Sequence, residues 1–162
     1  MVAPAQLLFE LLGQGKNNNA KGEYYITDIV ALANAAGKKV RVVTAPEADL
    51  MGANSRAELA EVEGAFQARM RAAAMAGGVR LIDPATVWFS HDTKLARDVT
   101  IEPNVFFGPG VNVETGAVIH AFCHLEGASI GPGAHVGPFA RLRPGARLGA
   151  DVKIGNFVEV KN

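Results

Sequence analysis

From Leu95 onward an apolar residue recurs at every sixth position: Leu95, Ile101, Phe107, Val113, Ile119 and Leu125. One residue is then dropped, and the series resumes at Ile130, Val136, Leu142, Leu148, Ile154 and Val160. An α-helix wants apolar spacings of three and four, and a simple strand wants two. A period of six fits neither. It belongs to a solenoid, in which each repeat stacks on the last and the core is continuous. Six extended residues at about 3.3 Å each make one flat face of about 20 Å, after which the chain must turn. Turn chemistry stands where those corners fall. "EPNV", "GPGV", "GPGA" and "RPGA" place Pro before Gly or Asn, the type II signature, in which Pro fixes φ and the next residue takes a positive φ. Four residues after each apolar position comes a small or branched one, such as Ala140, Ala146, Val152 and Val158. This predicts that both point inward. Cys123 occupies such a partner position and is expected to be a small buried thiol rather than a nucleophile. "GPFA" departs from the rule, with Phe139 where Gly would be. Either that turn differs or Phe139 is held under strain.

Before the repeats the sequence reads as α/β. Pro4 opens a helix carrying Leu7, Leu8, Leu11 and Leu12 that stops near Gly13. Thr27 or Asp28 caps a second helix, "IVALANAA", with Gly37 just past its end. "KVRVV" at residues 39–43 alternates and is branched, which predicts a strand. A third helix starts at Ser55, where Ser55 and Glu58 form a capping box. Leu59, Val62, Phe66 and Met70 follow at helical spacing, and Gly77-Gly78 ends the run. Such a helix, between two kinds of pattern, reads as a connecting arm of about 30 Å. Gly64 inside it weakens the case for a straight rod.

The 16 basic and 16 acidic residues balance, so no basic stripe argues for nucleic acid. The first apolar run is too short and too amphipathic to span a bilayer, and one cysteine suits a reducing compartment. A soluble cytoplasmic protein, with no nucleic-acid or membrane partner, is the expectation.

Three stretches carry a resemblance. "NNNAKGEYYITDIVALA" at residues 17–33 looks like a segment near the end of a uridyltransferase domain. "GANSRAELAEVE" at residues 52–63 looks like that domain's exit into a linker helix. "GPFARLRPGA" with "GNFVEVKN" looks like an acetyltransferase β-helix. Together, and in this order, they resemble the bacterial N-acetylglucosamine-1-phosphate uridyltransferase / glucosamine-1-phosphate acetyltransferase family.

The resemblance implies a fold and a division. Residues 1–56 would be the α/β end of the uridyltransferase domain, 57–78 a linker helix, and 79–162 the first coils of a left-handed parallel β-helix. Twelve hexads make about four coils, and the family assembles as a homotrimer through the β-helix. The implied chemistry is acetyl transfer from acetyl-CoA to glucosamine 1-phosphate. Uridylyl transfer from UTP with Mg2+ follows, giving UDP-N-acetylglucosamine for peptidoglycan and lipopolysaccharide. The family's nucleotide-cradling Gly-rich loop and its catalytic His have no counterpart in the sequence. An internal fragment with no catalytic residue of its own and no turnover alone is therefore expected.

By the same resemblance, Asn54 helps hold Mg2+ and contacts the sugar nucleotide, while Thr27 and Tyr25 line the sugar pocket. A carboxamide oxygen is a suitable hard ligand for Mg2+. Arg143 and Lys161 match the residues that bind the sugar phosphate. They lie eighteen apart, one coil of three faces, which puts them at equivalent places about 4.8 Å apart along the axis. Two cations that close repel unless an anion lies between them. A phosphate supplies it, with Arg as a fork and Lys as a point charge. Arg141 and Arg147 read as surface charges, and Arg141 can steer phosphate. His120, His124 and His135 have no local chelating spacing and are expected to be solvated or hydrogen-bonded. Two other readings compete: a free-standing acyltransferase of another kind, and a non-catalytic trimeric scaffold.

Overall fold

The computed structural model describes residues 1–161, which divide into two compact units, Met1–Asp49 and Leu50–Asn162. The first unit is a helical pair, α1 (Ala5–Leu12) and α2 (Asp28–Ala35). Leu11 of α1 is buried against Ile29 and Ala33 of α2, with Leu7, Leu8 and Leu32 packed around them. The leucine stripe of α1 thus finds a partner within the unit, while Phe9 and Leu12 stay exposed. Gly37 ends α2 with φ +69°. The Lys38 N–H bonds the Ala33 carbonyl and the Gly37 N–H bonds that of Asn34, the paired bonds of a Schellman motif.

Two expectations fail in this unit. Thr27 has a helical backbone (φ −64°) and its side chain caps nothing. An N-cap needs an extended backbone to aim its oxygen at the first free N–H groups. "KVRVV" forms no strand: Val42 and Val43 are exposed, and no neighbouring strand is present among the described residues of the unit to complete a ladder. Branched residues favour a strand only where there is a pleated surface to pack on.

The second unit opens with α3 (Arg56–Ala76). Ser55 accepts the Glu58 N–H (3.2 Å), as a capping box requires. In the return half Glu58 accepts from the Asn54 N–H (2.6 Å), one residue before the cap, and Ser55 also acts on its carboxylate. Of the predicted apolar stripe, Val62 and Phe66 are half-buried and Met70 packs on the core. Leu59 is exposed, and the one fully buried residue of α3 is Gln67.

Thereafter the chain winds as a three-faced parallel β-helix of two-residue strands. The first face holds Arg80–Leu81, Thr100–Ile101, Val118–Ile119, His135–Val136 and Lys153–Ile154. The second holds Phe106–Phe107, His124–Leu125, Arg141–Leu142 and Glu159–Val160, preceded by a bridge from Trp88 to Phe106. The third holds Lys94–Leu95, Asn112–Val113, Ser129–Ile130 and Arg147–Leu148. The sixth-position residues stack inward in register, as in Ile101 on Ile119 on Val136. Cys123 is buried in this core, where desolvation raises its thiol pKa, as expected of a small buried thiol.

The dropped residue belongs to one corner. Val113 pairs with Ile130, and the shortened turn passes through Gly127 at φ +53°. The coil also begins earlier than the regular series. Leu81 pairs with Ile101, and Val79, Leu81, Val87 and Phe89 join the core. A turn at Pro84–Thr86 inserts two residues there and hides the period.

The corners carry a residue of positive φ at the same six-residue interval: Asp98, Asn104, Gly110, Gly116 and Phe122, then Gly127, Gly133, Phe139, Gly145, Asp151 and Phe157. Both alternatives for Phe139 hold. Its turn contains a cis Gly137–Pro138 bond, and its own φ is +57°.

Candidate functional site

Along the second face, Leu142 and Val160 point inward and stack in register, while Arg141 lies beside Glu159. The next residues, Arg143 and Lys161, therefore share an outward column on adjacent rungs, tied by the Arg143 N–H to the Val160 carbonyl (3.0 Å). The register predicted from the eighteen-residue spacing is the register observed.

The predicted repulsion is resolved differently. Glu159, on the rung of Lys161, lies among the cations. Its Oε1 accepts from Arg143 Nε at 2.8 Å and lies 4.0 Å from Arg141 Nη1. Its Oε2 is 3.6 Å from Lys161 Nζ. The chain itself supplies the anion that Arg143 and Lys161 require. All four side chains are substantially exposed, so these pairs are weakly held and exchangeable. Three cations against one carboxylate leave these four residues with two net positive charges, and among the described residues the two terminal nitrogens of Arg143 have no acceptor. Arg147 and Lys161, with Gly145, Ala146 and Val160, line an open cavity of about 480 Å3.

Two residues of this site escaped the sequence reading. Glu159 is an outward glutamate like any other until its register with Arg141, eighteen residues earlier, is applied. Arg147 read as an ordinary surface charge, and the cavity it shares with Lys161 joins two different faces of the coil.

The other predicted positions are dispersed. Tyr25 and Thr27 belong to the first unit, at the entry to α2, where the Tyr25 carbonyl accepts the Asp28 N–H (3.1 Å). Tyr25 lines a small cavity of about 130 Å3 with Leu11, Tyr24 and Ile29. Asn54 belongs to the second unit. Its amide nitrogen points to Glu58 Oε2 (3.3 Å). The Asn54 N–H on that same carboxylate is the main cause holding the Glu58 pKa below its ordinary value. One neutral oxygen does not make a Mg2+ site by itself; the rest of the shell would come from phosphate oxygens and water.

His120 is hydrogen-bonded, as expected: its Nδ1 lies 3.0 Å from Glu102 Oε1, one coil earlier. His124 stacks on Phe106 with centroids 4.8 Å apart. His135 faces the His120 ring at 5.6 Å.

Comparison with known proteins shows what this chain is similar to. The family described as "Bacterial transferase hexapeptide (six repeats)" matches residues 127–162. The bifunctional protein GlmU of Paracoccus denitrificans is 60% identical over 162 residues, which is 100% of this chain and 36% of that protein. GlmU of Sphingopyxis alaskensis is 59% identical over 161 residues, 99% of this chain and 36% of that one. GlmU of Gluconobacter oxydans is 59% identical over 146 residues, 90% and 33% respectively. Among solved structures, the acetyltransferase domain of PglB from Neisseria gonorrhoeae aligns at a TM-score of 0.32 and 15% identity, over 59% of this chain and 58% of that one. The chain spans about a third of the length of the curated relatives it matches. Identity at this level, sustained from the helical unit through the last coil, shows that the chain belongs to the family of bifunctional GlmU proteins.

Proposed function

We propose that the second face of the β-helix carries the sugar-phosphate half-site of an acetyltransferase that uses acetyl-CoA and glucosamine 1-phosphate. The observation that supports it is the in-register pair Arg143 and Lys161 with Glu159 between them. An incoming phosphate takes the free terminal nitrogens of Arg143 and the ammonium of Lys161. Glu159 keeps the guanidinium oriented through Nε while this happens. Arg141, at the edge of the cluster, adds to the field that draws the anion in. These residues bind and orient. Proton transfer from the sugar amine needs a base within hydrogen-bond reach, and the cluster's one carboxylate, Glu159, is engaged by Arg143 and Lys161. No turnover is expected from this chain alone.

In this reading residues 1–56 close a uridyltransferase domain, 57–78 link it, and 79–162 begin the acetyltransferase. Tyr25 and Thr27 face the sugar nucleotide. Asn54 would give one oxygen to a Mg2+ otherwise held by nucleotide phosphates, which would offset phosphate charge in the reaction of UTP with N-acetylglucosamine 1-phosphate to UDP-N-acetylglucosamine and pyrophosphate. The whole acts as a cytoplasmic homotrimer.

Phosphorus NMR tests the central half-site. The resonance of glucosamine 1-phosphate should broaden when the chain is added and sharpen again with excess inorganic phosphate. A resonance that does not respond contradicts the reading.

A further inference from the structure

Helix α3 and the leading rungs of the second face meet along a groove of about 420 Å3. Glu63 and Phe66 line its helical wall; Trp88, His91 and Phe106 line the other. Gly108 leaves part of the groove as bare backbone. A Cβ added at Gly108 would be tightly placed, 3.2 Å from Glu126 Cγ and 3.3 Å from the Leu125 carbonyl oxygen.

Two features of the groove are unspent. Trp88 and Phe106 occupy successive rungs, joined by a bridge, and are 41% and 40% exposed. Below Phe106 the aromatic column continues as a stack on His124. Above it, among the described residues, no ring stack joins Phe106 to Trp88, and the groove opens at this break. The second feature is Glu63. Its carboxylate is half-buried, and its Oε1 is fixed by Gln67 Nε2 at 3.0 Å, with Gln67 itself bound to Phe89. Among the described residues Glu63 has no cationic partner.

A positioned carboxylate beside exposed aromatic rings is complementary to an organic cation. A guanidinium suits it best, because that group stacks flat on a ring while forking to a carboxylate. The groove is several times larger than one guanidinium, so it also has room for the backbone that carries one. We propose that this groove receives an arginine side chain presented by a partner polypeptide.

Trp88 is the only tryptophan in the chain, so its fluorescence reports on the groove directly. The full chain is titrated with acetyl-Gly-Arg-Gly-amide and, in parallel, with the same peptide carrying neutral citrulline. The arginine peptide should change Trp88 emission saturably, and the citrulline peptide should bind at least tenfold more weakly. Glu63→Gln should weaken the arginine peptide tenfold or more, as loss of a charge-assisted bond requires, with an unchanged unfolding curve. Three results overturn the proposal: no saturable change, equal binding of both peptides, or a Trp88 emission that follows protein concentration and ignores peptide. The last would mean that a second copy covers the groove. Because the citrulline comparison uses the unaltered protein, the test stands even if the variant fails to fold.

Discussion

The carboxamide of Gln67 stands where a neighbouring strand would stand beside Phe89. Its Oε1 accepts the Phe89 N–H at 2.9 Å, and its Nε2 donates to the Phe89 carbonyl at 2.7 Å. Phe89 lies on the leading rung, whose outer edge has no preceding coil. An open solenoid end exposes unpaired backbone groups, and α3 meets these with polar side chains while Met70 and Ala74 pack on the core beside them. Arg71 completes the cover, donating from Nη1 to the carbonyls of Pro84 (3.0 Å) and Ala85 (2.9 Å).

Gln67→Leu keeps the volume and orphans both Phe89 groups. At about 1–3 kcal/mol for each of the two buried unsatisfied groups, the loss should be about 2–6 kcal/mol in urea unfolding. Leu59→Ala, on the exposed side of the same helix, should stay within about 0.5 kcal/mol of the parent. A Gln67→Leu variant as stable as Leu59→Ala would contradict the edge-strand role.

Phe139 sits between Phe122 and Phe157 on one corner, with ring centroids 4.9 Å and 5.1 Å away. All three have φ between +57° and +59°, a region that costs an L-residue about 1–2 kcal/mol against glycine. The stack offsets that cost, each aromatic pair contributing about 0.5–1.5 kcal/mol. Phe139→Ala loses the stack and keeps the backbone cost, whereas Phe139→Gly loses both. The alanine variant should therefore be the less stable by about 1 kcal/mol, the reverse of the order in a helix or strand. Thermal unfolding of the two variants decides it, and alanine being the more stable would contradict the account.

Burial alone would raise the Glu102 carboxyl pKa. The His120 ring and the Ala121 N–H (2.9 Å) outweigh it, and the net shift is downward from the ordinary 4.5. The unfolded chain then takes up the proton first. Stability from this group is whole above the unfolded pKa and is lost as pH falls through the lower folded value. Urea midpoints measured from about pH 6 to pH 3 should show the advantage over Glu102→Gln shrinking at the acid end. A constant difference across the range would rule the linkage out.

Gly127 marks the shortened corner. A Cβ there would lie 2.8 Å from Pro144 Cα and 2.9 Å from its Cβ, at φ +53°. Gly127→Ala should cost about 1–3 kcal/mol in the same unfolding assay. A neutral result would mean the corner can move apart, contrary to the packing observed.

Much of the β-helix was legible because inward positions repeat every six residues and nothing else in a sequence does so. The period missed its first coil, which only the resemblance bounded at 79, because the insertion at Pro84–Thr86 sets Leu81 twenty residues from Ile101 in place of eighteen. The polar members of the inward side of α3 were missed because an apolar search finds Val62, Phe66 and Met70 but passes over Gln67 and Arg71, whose value lies in hydrogen bonds to a backbone edge. "KVRVV" was misread because strand propensity has no effect without a neighbour. At the site, the resemblance picked out Arg143 and Lys161, and their spacing of eighteen set them in one column. Glu159 needed the register as well, since an outward glutamate carries no mark of what stands beside it.

Calorimetric titration with glucosamine 1-phosphate, comparing the parent chain with Arg143→Ala/Lys161→Ala, tests the central claim most directly. The parent should bind, and the double variant should bind at least tenfold more weakly, since charge-assisted hydrogen bonds contribute about 1.5–3 kcal/mol each. No binding by the parent, or equal binding by both, would contradict a sugar-phosphate half-site on this face.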